Sequence, residues 1–218
     1  MRPPTTTVIF DVDGVLVKSM ERNHKAYESV FRSLGVRIPR RDVFAEEGRR
    51  SRELIELLAK ARGLNLSADT LDEMTRRHQE AFAAFGRMPM YPGAVRLLRD
   101  LHRRGLRIAL VTGNWRVNVE TQFGEIVSLF EVIVTAEDVK RTKPDPEPYR
   151  KALEMLAVAP ERAVVVENAP LGVRAAKAAG LRVIAITTTN PPDVLHEADV
   201  IVSRVGDVAY AIDSLDRR

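Results

Sequence analysis

The sequence of 218 residues contains no cysteine. This excludes disulfide bonds, thiol nucleophiles and thiolate metal sites, so any metal ion must be held by oxygen or imidazole ligands. The sequence also lacks a run of about 18 apolar residues, the length that a membrane-spanning helix needs. Its first residues contain no apolar segment typical of secretory signal peptides. We therefore expect a cytoplasmic protein that does not bind a membrane.

The sequence has only a small excess of charge of one sign. Its 34 lysine and arginine residues face 30 acidic residues, which gives a formal net charge of +4. A nucleic-acid-binding protein concentrates basic residues on one stripe or tail, whereas here arginines alternate with acidic residues, among them Glu46 and Glu47. We expect most of these charges to lie on solvated helix faces and expect no nucleic-acid partner.

Six short runs of mainly β-branched, apolar residues predict strands. Because the runs are apolar throughout, they indicate strands covered on both faces, as in a parallel sheet. Helical patterns over 94–104, 146–157 and 171–179 separate several of them. This alternation predicts an α/β fold with a doubly wound, Rossmann-like parallel sheet. The predicted strands are 7–10, 107–111, 132–134, 163–166, 183–186 and 200–202.

The segment 18–88 contains no strand pattern and predicts several amphipathic helices instead. We expect it to form a helical cap inserted into the core, with 1–17 and 89–218 forming the α/β domain. Linkers near 17–20 and 88–91 are expected to let the cap open and close. The two predicted apolar stripes comprise Leu54, Ile55, Leu57, Leu58 and Ala61, and Leu71, Met74, His78 and Phe82.

Polar residues follow four of the predicted strands, at the edge of an open α/β sheet where ligands bind. Asp11 and Asp13 follow the first strand and suit Mg²⁺, although a simple strand-end turn is the alternative interpretation. Thr112-Gly113-Asn114 precedes a helix and favours an anion site or an ordinary helix cap. Lys143 lies in a proline-rich loop that fixes its backbone direction, and Glu167-Asn168 supplies oxygen ligands.

Together these motifs resemble the haloacid dehalogenase-like hydrolase superfamily. The resemblance covers nearly the whole chain and extends to members with a helical cap between the first two motifs, such as phosphoglycolate phosphatase and β-phosphoglucomutase. Each motif alone is weakly specific, whereas their joint occurrence in this order is very specific. The motifs are Asp-x-Asp-Gly-Val from Asp11, Val-Thr-Gly-Asn from Val111, Lys-Pro-Asp-Pro from Lys143, and the Glu167-Asn168 segment followed by Gly-x-x-Ala-Ala-x-Ala-Gly.

The resemblance implies a role for each matching residue. Asp11 would be the nucleophile that becomes an aspartyl phosphate, and Asp13 would act as general acid and base. Lys143 would neutralise charge on the phosphoryl group. Thr112 and the backbone N–H groups of Gly113 and Asn114 would hold the phosphoryl oxygens. The implied ligands of a Mg²⁺ cofactor are the Asp11 side chain, the Asp13 carbonyl and either Glu167 or Asn168.

The fourth motif departs from the family pattern. The family usually has two acidic residues there, whereas this chain has Glu167-Asn168. Either Glu167 coordinates the metal directly, or Asn168 does so through its amide oxygen with Glu167 behind it. Because a neutral amide attracts Mg²⁺ less than a carboxylate does, we expect weak metal affinity.

Other positions discriminate between activities within the family. Dehalogenases lack the second aspartate, so Asp13 argues against dehalogenation. Mutases of the β-phosphoglucomutase type carry a cap histidine twelve residues after the nucleophile, where this chain has Asn23 followed by His24. Glu80 stands where the mutase cap lysine would fall. A phosphatase is therefore favoured over the alternative of a phosphosugar mutase or a non-catalytic phosphate-binding protein.

The expected substrate is a small phosphorylated metabolite of the phosphoglycolate or sugar phosphate type. The cap arginines Arg49, Arg50 and Arg52 lie where related caps contact substrate, and Arg49 and Arg52 are the predicted substrate-binding pair. Trp115 and Tyr27 either line the entrance or pack in the interior, with packing favoured for Trp115. The chain is expected to be a monomer or a homodimer.

Overall fold

The computed structural model describes residues 3–217; residues 1, 2 and 218 of the predicted core lie outside this range. Six parallel strands, labelled β1 to β6 in chain order with the bounds given at the end of this paragraph, form one sheet. Their order in the sheet is β3-β2-β1-β4-β5-β6. The predicted strands are confirmed, with β4 one residue longer and β5 beginning one residue earlier than expected. The strands are β1 (Thr7–Phe10), β2 (Arg107–Val111), β3 (Val132–Val134), β4 (Ala163–Glu167), β5 (Arg182–Ile186) and β6 (Val200–Val202).

Helices cover both faces of the sheet, so the doubly wound α/β fold is confirmed. Val8 and Phe10 point to one apolar cluster and Ile9 to the other, as the alternation of a strand requires. The first cluster includes side chains of α5 (Ala94–Arg103), α6 (Arg116–Phe123) and α9 (Val208–Asp216). The second includes side chains of α7 (Glu147–Leu156) and α8 (Pro170–Ala178).

Between β1 and α5 the chain forms a block of helices with an apolar cluster of its own. Leu54, Ile55 and Leu58 are buried on one stripe of the helix Ser51–Lys60, labelled α3. Leu57, predicted to lie on the same stripe, is 40% exposed. At 100° per residue, Leu57 lies more than a quarter turn from the centre of that stripe. Ala61, also predicted there, follows the last residue of α3 and is exposed. The helices are α1 (Met20–Arg32), α2 (Arg40–Phe44), α3 (Ser51–Lys60) and α4 (Ala68–Ala83).

Two adjacent chain segments connect this helical block to the sheet. The Lys18 N–H donates to the Pro89 carbonyl at 2.9 Å, and the Tyr91 N–H donates to the Leu16 carbonyl at the same distance. The block contacts the carboxyl end of the sheet, where Arg50 donates to the Val139 carbonyl at 2.8 Å. Among the described residues, no helix has the length and apolar character that crossing a membrane requires.

Candidate active site

The sheet topology brings the predicted site residues together. Asp11 follows β1, Thr112 follows β2 and Glu167 ends β4, and these three strands are neighbours. Phe10 is in register with both Leu110 and Val166. The next residues along each strand therefore emerge side by side at the same edge of the sheet.

Lys143, from the loop between β3 and α7, lies between two carboxylates. Its Nζ atom is 2.6 Å from Asp11 Oδ1 and 2.6 Å from Glu167 Oε1, and the side chain is buried. Burial alone would lower the pKa of Lys143, but the charges of Asp11 and Glu167 outweigh it and raise the pKa. The side chain is thus held as an ammonium ion beside Asp11.

Glu167 uses both carboxylate oxygens within the protein. Its Oε1 accepts from Lys143 and from the Tyr149 hydroxyl, the latter at 2.7 Å. Its Oε2 accepts from the backbone N–H groups of Asn168 and Ala169 at 2.9 and 3.2 Å. Four donors therefore fix this carboxylate, and it positions the Lys143 ammonium.

Asp13 lies in a tight loop that turns at Gly14, whose φ of +78° is in the left-handed region. Its carboxylate accepts from the Ser19 hydroxyl and, at 2.5 Å, from Asn114 Nδ2. Burial raises the pKa of Asp13, although these two donors and Lys143 oppose the rise. A raised pKa favours the protonated form of a carboxyl group.

Thr112 and Asn114 form a turn at the end of β2. The Asn114 N–H donates to Thr112 Oγ1 at 3.1 Å. That N–H already has an acceptor in this ST turn, and its predicted role in holding a phosphoryl oxygen stays a prediction. Gly113 lines the neighbouring cavity.

Glu47 was expected on a solvated helix face but belongs to the site. It lies between α2 and α3, is only 9% exposed, and its Oε2 accepts from Asn168 Nδ2 at 2.8 Å. Asn168 itself is fully buried, and its Oδ1 has no hydrogen-bond partner. Burial and the charge of Asp11 raise the pKa of Glu47.

The three cap arginines, Arg49, Arg50 and Arg52, each have a different partner. Arg52, predicted to bind substrate, instead pairs with Asp72 of α4 at 2.6 Å and does not line the cavity. It points to the outer side of α3, where an acidic partner is available. Arg50 donates to a core carbonyl. Arg49 lines the cavity but pairs with Glu46 three residues earlier.

A cavity of about 320 Å³ opens between the cap helices and the loops after β1 and β2. Trp115, expected to pack in the interior, is 48% exposed and lines it, whereas Tyr27 is buried. The described residues lining it comprise Asp11, Asp13, Asn23, Glu47, Gly48, Arg49, Ser51, His78, Gln79, Phe82, Ala83, Gly113, Asn114, Trp115, Val117 and Asn118.

His78 was expected only as part of an apolar stripe, but it also borders this cavity. Its Nε2 lies 3.0 Å from Asn23 Oδ1, and its ring packs 3.9 Å from that of Tyr27. Burial lowers the pKa of His78 from 6.5 to about 4. The ring is therefore neutral at physiological pH, with Nε2 in contact with Asn23 and Nδ1 buried without a partner.

A profile of the family described as haloacid dehalogenase-like hydrolase matches residues 8–186. The chain belongs to this family. Its relatives in the family include validoxylamine A 7′-phosphate phosphatase of Streptomyces hygroscopicus subsp. limoneus, which is 34% identical over 208 residues, 93% of this chain and 95% of the relative. Hexitol phosphatase A of Escherichia coli K12 is 35% identical over 197 residues, 89% of this chain and 88% of the relative.

Solved structures agree with the family assignment. CbbY of Rhodobacter sphaeroides, determined as a variant in complex with xylulose-1,5-bisphosphate, superposes with a TM-score of 0.79. It is 28% identical, and the match covers 93% of this chain and 96% of CbbY. Members of the haloacid dehalogenase-like family that resemble this chain thus include enzymes named as phosphatases and a protein that binds a sugar bisphosphate.

Some residues of the site could not be identified from the sequence alone. Tyr149 lies inside an ordinary helical pattern, and Glu47 lies in an alternating charge pattern, so neither differs locally from a structural residue. Only contacts between distant segments identify them. In the sequence, Ser19 differs from a structural serine by its position six residues after Asp13 at the start of a helix.

Proposed function

We propose that the protein is a Mg²⁺-dependent phosphatase that hydrolyses a small phosphorylated metabolite through an aspartyl-phosphate on Asp11. The observation that carries this proposal is the buried Lys143 ammonium 2.6 Å from the Asp11 carboxylate, with Asp13 on the same loop. A carboxylate that attacks an anionic phosphoryl group needs adjacent positive charge, and Lys143 provides it.

The proposed reaction has two steps. The Asp11 carboxylate attacks phosphorus, the ester P–O bond breaks, and Asp13 gives its proton to the leaving oxygen. A water molecule then attacks the phosphorus of the aspartyl phosphate while Asp13 takes a proton from it. The P–O bond to Asp11 breaks, which releases inorganic phosphate and restores both carboxyl groups. The raised pKa of Asp13 supports its protonated state at the start.

Three groups are proposed to hold the phosphoryl oxygens. Thr112 Oγ1 already accepts the Asn114 N–H, so its own hydroxyl hydrogen is available to a phosphoryl oxygen. Gly113 lines the cavity, and its N–H is proposed as the backbone donor, with the Lys143 ammonium as the third group. Asn114 instead acts through its side chain, which orients Asp13.

The oxygen atoms beside Asp11 fit Mg²⁺, which the related family members imply as the cofactor. The Asp11 carboxylate, the Asp13 carbonyl and Asn168 Oδ1 are hard ligands, and Asn168 Oδ1 is buried without a donor. Glu167 is saturated by four donors, so we assign Asn168 rather than Glu167 as the ligand. When bound, Mg²⁺ would screen the charge between the substrate and Asp11. Among the described residues no three acidic or histidine side chains could enclose a metal by themselves.

The cavity favours a polyhydroxylated substrate over phosphoglycolate. A carboxylate-bearing substrate needs an uncommitted cation, but Arg49 already pairs with Glu46. Apart from three carboxylates, the other polar side chains that line the cavity are neutral amides, a hydroxyl, an indole and the neutral His78, and such groups suit the hydroxyl groups of a sugar, polyol or cyclitol phosphate. The phosphatases of validoxylamine A 7′-phosphate and of hexitols act, by their names, on substrates of this kind.

The proposed phosphatase needs a lid that excludes bulk water, and residues 18–88 are proposed to be that lid. Within residues 3–217, the paired segments at Lys18 and Pro89 are the covalent connections between helical block and sheet, and they would serve as its hinge. A mutase of the β-phosphoglucomutase type is less well supported. Asn23 stands where that mechanism needs a histidine, and the nearby His78 is held neutral by burial.

A phosphatase assay on several substrates tests the proposal. Purified protein is incubated with p-nitrophenyl phosphate and with a panel of polyol, sugar and nucleoside phosphates and phosphoglycolate, with Mg²⁺ or with EDTA. We expect phosphate release that requires Mg²⁺ and that Asp11→Asn abolishes. Turnover that survives either EDTA or Asp11→Asn would contradict the proposal.

A further inference from the structure

Glu47 is a cap residue that contacts the core beside the catalytic edge. Its Oε2 accepts from Asn168 Nδ2 at 2.8 Å and lies 3.5 Å from Thr189 Oγ1. Its second oxygen, Oε1, is buried and has no hydrogen-bond partner. A buried carboxylate oxygen without a donor is costly, because water no longer solvates its charge.

A second buried oxygen without a partner lies beside it. Asn168 Oδ1 has no donor, and Asn168 is fully buried. Both side chains pack against the loop at Gly14: a Cβ atom there would lie 2.0 Å from Asn168 Nδ2 and 3.1 Å from Glu47 Oε1. Glu47 from the cap and Asn168 from the core, each with one unpartnered oxygen, thus both pack against the loop that carries Asp13.

The charges around them are unbalanced. The Lys143 ammonium is shared between Asp11 and Glu167. No lysine or arginine described in the structure pairs with Glu47, and its neighbours Asp11, Glu167 and Asp13 each raise its pKa. Among the described residues, no cation therefore pairs with the Glu47 carboxylate and no donor reaches its Oε1.

We infer that Glu47 contributes its carboxylate to the cation site, supplying from the cap the negative charge that Asn168 does not supply from the core. The inference rests on the proposed Mg²⁺-dependent function and adds a cap residue to it. The site is then complete only when the cap is docked. By linkage, docking of the cap strengthens Mg²⁺ binding, and Mg²⁺ favours the docked cap to the same extent.

A purely structural role of Glu47 makes a different prediction. As a latch between cap and core, Glu47 needs only an oxygen that accepts from Asn168 Nδ2. Glu47→Gln keeps such an oxygen and the shape of the side chain but removes the charge. A latch role therefore predicts unchanged Mg²⁺ affinity in this variant, whereas a role in the cation site predicts weaker binding.

Calorimetric titration of EDTA-treated protein with MgCl₂ separates the two roles. We expect Glu47→Gln to weaken Mg²⁺ binding by about tenfold or more. Glu53→Gln is the matched control, because Glu53 also lies in the cap and contacts Thr142 of the core at 3.4 Å but is exposed. It should bind Mg²⁺ like the wild type. Asn168→Asp should tighten binding, and Glu47→Gln/Asn168→Asp should recover much of the lost affinity.

Thermal unfolding with and without Mg²⁺ gives a second measurement on the same variants. We expect Mg²⁺ to raise the melting temperature of Glu47→Gln less than that of the wild type, with the metal-free variant at least as stable as the wild type. Equal Mg²⁺ affinity in wild type and Glu47→Gln overturns the inference while leaving the proposed function intact. If Glu47→Gln does not fold, failure of Asn168→Asp to tighten binding overturns it instead. A wild type that binds no Mg²⁺ contradicts the proposed function itself.

Discussion

The Glu167 carboxylate occupies space that a side chain at Gly172 would take. A Cβ atom at position 172 would lie 1.8 Å from Glu167 Oε1 and 2.1 Å from its Cδ. Gly172 is in the first turn of α8, two residues after Pro170. The glycine thus allows Glu167 to sit against the start of this helix, where two backbone N–H groups donate to it.

We predict that Gly172→Ala lowers both stability and activity. Alanine normally stabilises a helix interior by about 0.5–1 kcal/mol over glycine. Here Glu167 would have to leave its four donors and release Lys143, at an expected net loss of about 1–3 kcal/mol and at least tenfold in kcat. Urea unfolding and a phosphatase assay measure both. Gly206→Ala, where a Cβ meets open space, should change neither.

The second prediction concerns Asp13 as the acid. Asp13→Asn should slow hydrolysis of an alkyl phosphate by about 10²–10⁴-fold, because the leaving alkoxide needs a proton. p-Nitrophenolate leaves without one, so the variant should release it in a rapid burst that equals the enzyme concentration, followed by slow turnover. Rapid-mixing absorbance at 400 nm, on the order of milliseconds to seconds, detects such a burst. A loss of the burst itself would place Asp13 outside the acid role.

The wild-type pH profile should agree with this role. Burial raises the pKa of Asp13, and the acid must be protonated when substrate binds. Therefore kcat/KM for an alkyl phosphate should fall as pH rises through that raised pKa. For p-nitrophenyl phosphate, formation of the aspartyl phosphate should lack this decline.

The sequence was sufficient to predict the sheet and the residues at its edge. Asp11, Thr112 and Glu167 follow apolar runs, and adjacency of the strands in a parallel sheet brings their side chains together. The same apolar run therefore predicts both where a strand lies and which residues stand at its carboxyl end. The bounds of β1, β2, β3 and β6 could be predicted for the same reason, because each run is apolar after its first residue or throughout and ends abruptly.

Contacts between cap and core could not be predicted in this way. Glu47 and Arg52 belong to the same charged stretch, yet docking buries Glu47 against Asn168 and leaves Arg52 with Asp72 on the outside. Their environments depend on how α2 and α3 pack on the sheet domain. His78 shows the same limit, because helical spacing predicts its burial but not its contact with Asn23.

The buried His78 should make the free energy of unfolding depend on pH. Its pKa is about 4 in the folded protein and near its ordinary 6.5 in the unfolded chain. Between these values only the unfolded chain gains the proton, so the free energy of unfolding falls as pH decreases from about 6.5 towards 4. The full loss is about 3 kcal/mol. His78→Phe keeps the ring beside Tyr27 and should lose less stability than the wild type between pH 7.5 and 5.5.

Urea unfolding at these two pH values measures the difference, which should be about 1 kcal/mol. His102→Gln serves as control, because His102 is exposed on α5 and its loss should leave the wild-type pH dependence unchanged. Identical pH dependence in wild type and His78→Phe would mean that His78 is not held neutral by burial.

The neutral amides of the cavity supply a prediction on specificity. Gln79→Ala and Asn118→Ala should each lower kcat/KM for a hexitol phosphate by about fivefold to tenfold, the effect of one lost hydrogen bond of about 1 kcal/mol. The same variants should hydrolyse p-nitrophenyl phosphate like the wild type, since its ring offers no hydroxyl groups. Asn65→Ala, an exposed amide in the cap outside the cavity, is the control. Equal losses on both substrates would point to disturbed packing.

The last prediction separates the structural effect of Lys143 from its chemical one. Lys143→Met leaves Asp11 and Glu167 buried without their shared cation, which should cost about 3–5 kcal/mol in metal-free protein. Adding Glu167→Gln removes one of the two uncompensated charges and should restore part of that stability. Activity should stay lost in the double variant, because no ammonium remains beside Asp11. Urea unfolding and phosphate release on the wild type and both variants test this. Recovery of activity together with stability would show that Lys143 only keeps the two carboxylates in place.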